Sequence, residues 1–196
     1  MRFAIRTGSV ILLLLALSGC GGQAQQITSS EPVVYQLASP ANVRSDFVTY
    51  SDSNYPFIVE LPRSWFAGEL TTGPAYGIVA TNTNQPGEPR AAISIVAEPI
   101  EAGATVEQAV TAAEDALRQQ NVTDFRVELD RQATVNQNPG RERSYRFVSD
   151  GQNVRQRTIY VMGTDNLYAI SLTAPQDIFA QHEAIFNDVL ITFEGF

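Results

Sequence analysis

From Arg141 to Met162 the chain runs RERSYRFV, SDGQ, NVRQRTIYVM: two extended segments rich in β-branched and aromatic residues on either side of an Asp-Gly pair. Asp and Gly both tolerate the positive φ angles that the central positions of the tightest hairpin turns require. Arg141–Val148 and Asn153–Met162 are therefore expected to pair antiparallel around Ser149–Gln152.

Downstream, Leu167–Thr173 is a further strand, and Pro175 opens a helix whose inner stripe is Ile178, Phe179, Ile185, Phe186 and Val189. The chain ends on Leu190–Phe193, expected to be extended. Upstream lie two extended pieces, Phe125–Leu129 and Ala133–Val135. Before them Thr105 and Gln108 stand at capping-box spacing, followed by Val106, Ala109, Val110, Ala113 and Leu117 at helical spacing to about Gln120. Three more strands, Phe57–Leu61 stopped by Pro62, Tyr76–Ala80 and Ala91–Val96, precede that helix, with Asn82–Pro89 as a connecting loop. Strands outnumber helices and several are joined as hairpins. The expected class is α+β, a twisted antiparallel sheet with helices packed on it, in one domain over residues 51–196.

At the other end, Arg2 and Arg6 precede an apolar run from Val10 to Leu17, and Ser18-Gly19 lead into Cys20. A charged n-region, a short apolar h-region and small residues before a cleavage point make residues 1–19 a signal peptide. The run falls short of the roughly 20 apolar residues of a permanent span. Leu17-Ser18-Gly19-Cys20 resembles the bacterial lipobox, in which lipid, palmitate included, is joined to the cysteine; the plainer alternative is a signal peptide with a coincidental cysteine. Gly21 stands where Asp would signal inner-membrane retention, which matters only in a cell with two membranes; the expected location is the periplasm or the outer face of a bacterial cell membrane. Cys20 is the only cysteine, so an acylated chain has no thiol for a disulfide, a metal cluster or a nucleophile. Residues 20–50, rich in Gly, Gln, Ser and Pro, are expected to be a lipid-anchored tether, with short strands at Val33-Val34-Tyr35 and Phe47-Val48 as an option within it.

The chain carries 21 acids against 13 basic residues, all arginine, for a net charge of −8. An acidic balance argues against nucleic acid and against a polybasic membrane patch as partners.

Two signatures carry a family resemblance. The front one is Tyr55-Pro-Phe57-Ile-Val-Glu-Leu-Pro62-Arg-Ser-Trp65, an aromatic-led strand running into Pro-x-x-Trp; the back one is Leu167-Tyr-Ala-Ile-Ser-Leu-Thr-Ala-Pro175, a helix, then Val189-Leu-Ile-Thr-Phe193. Together with the element order, they make residues 50–196 resemble the PsbP-like family, which includes the extrinsic PsbP proteins of photosystem II and bacterial lipoproteins of the DcrB type. The resemblance implies an α/β/α-like sandwich and a mostly non-enzymatic accessory, assembly or binding role. Some members are thought to take metal on surface His and carboxylates, for which His182 with Glu183 is the place in this chain. Trp65 is expected to plug the core, which is also what a lone tryptophan after a strand does on physical grounds.

Catalytic chemistry has little to stand on. His182 is the only histidine, it borders the apolar stripe of its helix, and no Gly-x-Ser-x-Gly elbow accompanies it. A zinc site wants three or four nitrogen or sulfur ligands, which one histidine and no free cysteine do not supply. Asp52 and Asn54 echo part of a calcium loop without its glycine or distal glutamate. No phosphate loop or dinucleotide fingerprint is present, so no cofactor is expected. Glu114-Asp115 read as a solvated helix face rather than a glycosidase pair.

One constellation departs from expectation. In a two-residue Asp150-Gly151 turn Arg146 faces Arg155, with Arg157 two residues further on the same face, and like charges directly across a strand pair destabilise it. Guanidinium forks bind carboxylate or phosphate, so these three residues are a candidate anion or partner site; alternatively the side chains splay apart into water, and Glu142 projects from the same face. The expected function is that of a membrane-anchored extracytoplasmic accessory protein docking on a membrane or envelope complex. The competing expectation is a module that binds a small anionic or apolar molecule.

Overall fold

The central hairpin forms as its turn chemistry requires, with Asp150 at φ 49° and Gly151 at φ 79°. The computed structural model describes residues 31–36, 45–51, 56–72, 75–101, 103–120 and 122–195, the side chains of 71 and 72 excepted. The expected leader 1–19, Cys20, Asp52, Asn54 and Tyr55 lie outside the described residues. In chain order the elements are β1 (Val33–Tyr35), β2 (Phe47–Ser51), β3 (Phe57–Pro62), β4 (Phe66–Thr72), β5 (Ala75–Thr81), β6 (Ala92–Pro99), α1 (Val106–Gln119), β7 (Val122–Val135), β8 (Asn138–Ser149), β9 (Gln152–Met162), β10 (Asn166–Pro175), α2 (Gln176–Thr192) and β11 (Glu194–Gly195).

Eight strands form one sheet in the order β1-β7-β8-β9-β10-β6-β5-β4, and β11-β3-β2 form a second. All pairings are antiparallel except β1 with β7. Because side chains alternate across a strand, β9 sends Val154 and Tyr160 to one face and Ile159 and Val161 to the other. On the first face Val110, Ala113 and Leu117 of α1 meet Tyr145, Phe147, Val154, Tyr160 and Leu167. On the second, Phe179, Phe186, Val189 and Leu190 of α2 join Phe57, Val59 and Leu61 of the small sheet over Ile159, Val161, Ile170 and Leu172. The result is the expected α+β architecture, a helix on each face of an antiparallel-dominated sheet. Full burial of each large apolar side chain contributes about 1.5–3 kcal/mol, and the larger buried cluster lies on the α2 face. The Thr105–Gln108 capping box is complete: Thr105 Oγ1 accepts from the Gln108 amide at 3.2 Å and Gln108 Oε1 from the Thr105 amide at 3.0 Å.

The two short strands that are an option within residues 20–50 both form, the second running on to Ser51; two other expectations need correcting. Phe125–Leu129 and Ala133–Val135 belong to one long strand, β7, whose register shifts between Thr123 and Arg126 and again between Val127 and Leu129. Those bulges break the alternation that would have marked it as continuous. The C-terminal stretch Leu190–Phe193 continues α2 to Thr192 before the short β11. Finally β4, with Gly68 and Glu69 at its centre, is an edge strand that apolar patterning does not reveal.

Candidate functional site

The hairpin register places Arg146 opposite Arg155, as its turn predicts. On the other side of β8, after the bulges, Arg126 of β7 faces Arg146. Arg126, Arg146 and Arg155 thus form a row across three adjacent strands, on the face that carries α2. Arg155 is committed: its Nε donates to Glu128 Oε2 at 3.0 Å and its guanidinium lies 5.0 Å from the Phe179 ring centroid. Arg126 is exposed and Arg146 half-buried, and among the described residues neither makes an ion pair.

Arg157 is a different kind of residue. Its side chain is 9% exposed, and it sits in a buried polar network that joins five elements. Nε donates to Glu142 Oε1 at 2.7 Å, one Nη to Asn187 Oδ1 of α2 at 2.8 Å, and the other to the Tyr35 hydroxyl of β1. Glu142 Oε2 accepts from Arg131 Nε of β7 at 2.9 Å and from the Tyr35 hydroxyl at 3.1 Å. The guanidinium also lies 5.3 Å from the Phe186 ring centroid, within cation–π range. Burial alone would lower the Arg157 pKa, but Glu142, Tyr35 and Glu183 hold it above the ordinary arginine value. Burial likewise raises that of Tyr35, against the pull of Arg157. Both groups keep their protons throughout the physiological range.

The three arginines singled out by sequence therefore divide. Arg146 stays in the outward row; Arg155 is engaged by Glu128; Arg157 is a structural cation neutralised by Glu142, not part of an open fork. Arg126, which belongs to the row, was hidden by the β7 bulges.

On the opposite face the charges are also matched internally. Arg141 Nε donates to Asp130 at 2.6 Å, and Arg143 lies 3.2 Å from Asp130 and 3.4 Å from Glu114. The hydrogen bond from Arg141 is the chief reason that the Asp130 pKa is lowered. Glu114 corrects the solvated-face expectation, since its side chain is 12% exposed and turned onto the sheet, whereas Asp115 at 62% is in water.

His182 packs edge-to-face on Trp65, with ring centroids 5.5 Å apart, and its buried Nδ1 has no hydrogen-bond partner. Trp65 itself is partly buried against the main core. Burial lowers the His182 pKa from its ordinary 6.5. The unfolded chain thus takes up the proton first as pH falls through 6.5, and the neutral imidazole's contribution, complete above that value, is lost on the way down to the folded-state pKa. Thermal melts between about pH 7 and pH 5 are expected to fall more steeply for the native protein than for His182→Gln, by up to about 1 kcal/mol per pH unit. Parallel slopes would mean that the ring is not held neutral by burial. Among the described residues no three His, Cys, Asp or Glu gather as a metal site would require, and no helix is long and apolar enough to cross a membrane.

Comparison with known proteins shows one family and one fold. Residues 79–192 match the family model described as DcrB. No curated protein matches the chain. Among solved structures, cyanobacterial PsbP (CyanoP) from Synechocystis sp. PCC 6803 is similar at a TM-score of 0.59 and 10% identity, with 81% of this chain and 98% of that chain covered. PA94 of Pseudomonas aeruginosa, a protein of unknown function, matches at 0.49 and 14% identity over 76% of this chain and 96% of that one. LpqN of Mycobacterium tuberculosis, described as involved in cell envelope biogenesis, matches at 0.38 and 13% identity over 77% and 79%. The likeness to CyanoP shows the shared PsbP-like fold; the two weaker ones carry no argument about this chain.

Proposed function

Since the chain belongs to the DcrB family, and since its N-terminus reads as a lipobox, we propose that it is a lipid-anchored, extracytoplasmic, non-enzymatic accessory protein. Its folded domain docks on a membrane or envelope complex and helps to assemble or stabilise it. The observation that carries the docking reading is the row Arg126–Arg146–Arg155. A fold that neutralises Arg131, Arg141, Arg143 and Arg157 with its own carboxylates leaves two arginines side by side without one among the described residues, on a chain of net charge −8. Like charges opposite each other cost roughly 0.2–1 kcal/mol, and an acidic partner surface would offset that cost on docking.

The test is charge reversal. Arg126→Glu with Arg146→Glu is expected to leave the melting temperature within a few degrees while reducing recovery of the partner complex from native membranes at least tenfold. Undiminished recovery would remove this surface from the docking reading. The second reading, a small anion held by Arg146, Arg155 and Arg157, is weaker because Glu128 and Glu142 already occupy two of the three guanidiniums. A rise in melting temperature with inorganic phosphate, abolished by Arg146→Ala, would favour it.

A further inference from the structure

We propose that β1 is a releasable strap: Tyr35 latches the N-terminal segment onto the buried Glu142–Arg157 pair, and its release uncovers an edge of the main sheet and lengthens the chain leading to the domain. The strand has three residues and pairs only with β7, Val33 opposite Ala133, Val34 opposite Thr134 and Tyr35 opposite Val135. Beyond the ladder, the Asn136 amide donates to the Tyr35 carbonyl at 2.8 Å. Val34 is 58% exposed, Val33 is partly buried against the main core and Tyr35 is 8% exposed, so Tyr35 supplies the largest share of the hold.

What makes this link detachable is the arrangement of partners around it. Without the Tyr35 hydroxyl, Glu142 still has Arg131 and Arg157, and Arg157 still has Glu142, Asn187 and the Phe186 ring. Opening the strap therefore strands no charge; it exposes one ring of the main core and exchanges a short ladder and one phenol's hydrogen bonds for water. Displacing β7 or β8 would instead break the Arg131–Glu142 and Arg157–Glu142 ion pairs inside the protein, a far larger penalty. The next element, β2, pairs in the other sheet with β3, so β1 is free to leave without moving it.

Two consequences follow. The Ala133–Val135 edge of β7 loses its partner strand, and an unpaired edge is a template for an incoming one. The chain from Cys20 also gains reach: its 13 steps to Val33 span at most about 45 Å, its 27 steps to Phe47 at most about 95 Å. This second consequence rests on the proposed lipid anchor; the first does not.

Hydrogen exchange on the full chain tests the strap, with the Asn136 amide as reporter because Tyr35 is its acceptor, and the Ile159 and Ile170 amides as reporters of global unfolding. Asn136 is expected to exchange at least a hundredfold faster than Ile159 and Ile170. Low denaturant should leave the Asn136 rate nearly constant while raising those of Ile159 and Ile170, because opening the strap exposes little surface. Tyr35→Phe, which removes both hydrogen bonds of the hydroxyl from the closed state, should speed Asn136 at least about tenfold and the other two by no more than that factor. Exchange of all three at one rate, one shared denaturant dependence, or an Asn136 rate unmoved by Tyr35→Phe would make β1 a fixed part of the fold and overturn the proposal. Vesicle flotation of the same chain reports anchoring separately, so failure of the anchor is not mistaken for failure of the strap.

Discussion

Glu142→Ala is expected to lower the free energy of unfolding by about 3–5 kcal/mol, read from denaturant titration. Glu142 is 0% exposed, and it is the acceptor for Arg157 at 2.7 Å and Arg131 at 2.9 Å. Removing it leaves the Arg157 guanidinium buried with an amide, a phenol and an aromatic face but no carboxylate in contact, only the weaker charge of Glu183. That is a different situation from a surface ion pair, worth about 0–1 kcal/mol, and against a total stability of about 5–15 kcal/mol it is a large fraction. Replacing both partners, Glu142→Leu with Arg157→Met, removes the buried charge together with its counter-charge and should recover part of the loss, the remainder being the cost of leaving the half-buried Arg131 without its carboxylate. A single variant that melts within 1 °C of the native protein would show the pair to be solvated.

Phe186→Ala is expected to cost a similar amount, about 3–5 kcal/mol. The ring is 0% exposed at the centre of the α2 contact with the sheet, so truncation loses the transfer free energy of the aromatic group and leaves a cavity that rigid strands on one side cannot close. It also removes the surface under Arg157. The two effects share a residue, so Phe186→Ala and Glu142→Ala should couple, with a double-mutant interaction of about 0.5–3 kcal/mol. Strict additivity would place Phe186 outside the network and make its role packing alone.

Local chemistry made much of this fold legible. Asp-Gly set the hairpin and its register, Thr105 with Gln108 set the start of α1, and the Ile178-to-Val189 stripe identified the face of α2 that is buried. What escaped had no local signature. Asp124 takes φ 51° at the first bulge of β7, and no residue pattern distinguishes that from a break between two strands. Arg126 meets Arg146 only after the resulting shift. Arg157 looked exposed because arginines at 155 and 157 alternate as on a solvated face; Glu142, one diagonal away on the same face, was the clue that the strand is covered and the charge paired. Tyr35 reaches Glu142 across 107 positions of sequence, a contact that no spacing rule anticipates. The edge strand β4 was missed for the opposite reason, since a strand with little to bury leaves little apolar pattern.

The docking account is tested most directly by photo-crosslinking in native membranes, a method suited to a chain without lysine. A photoreactive residue at position 146 is compared with one at 115, whose side chain lies in water on the opposite layer. Reproducible capture of one membrane or envelope complex from position 146, with background from 115, is the predicted result. Capture of nothing above background from 146, or the same products from both positions, would contradict it.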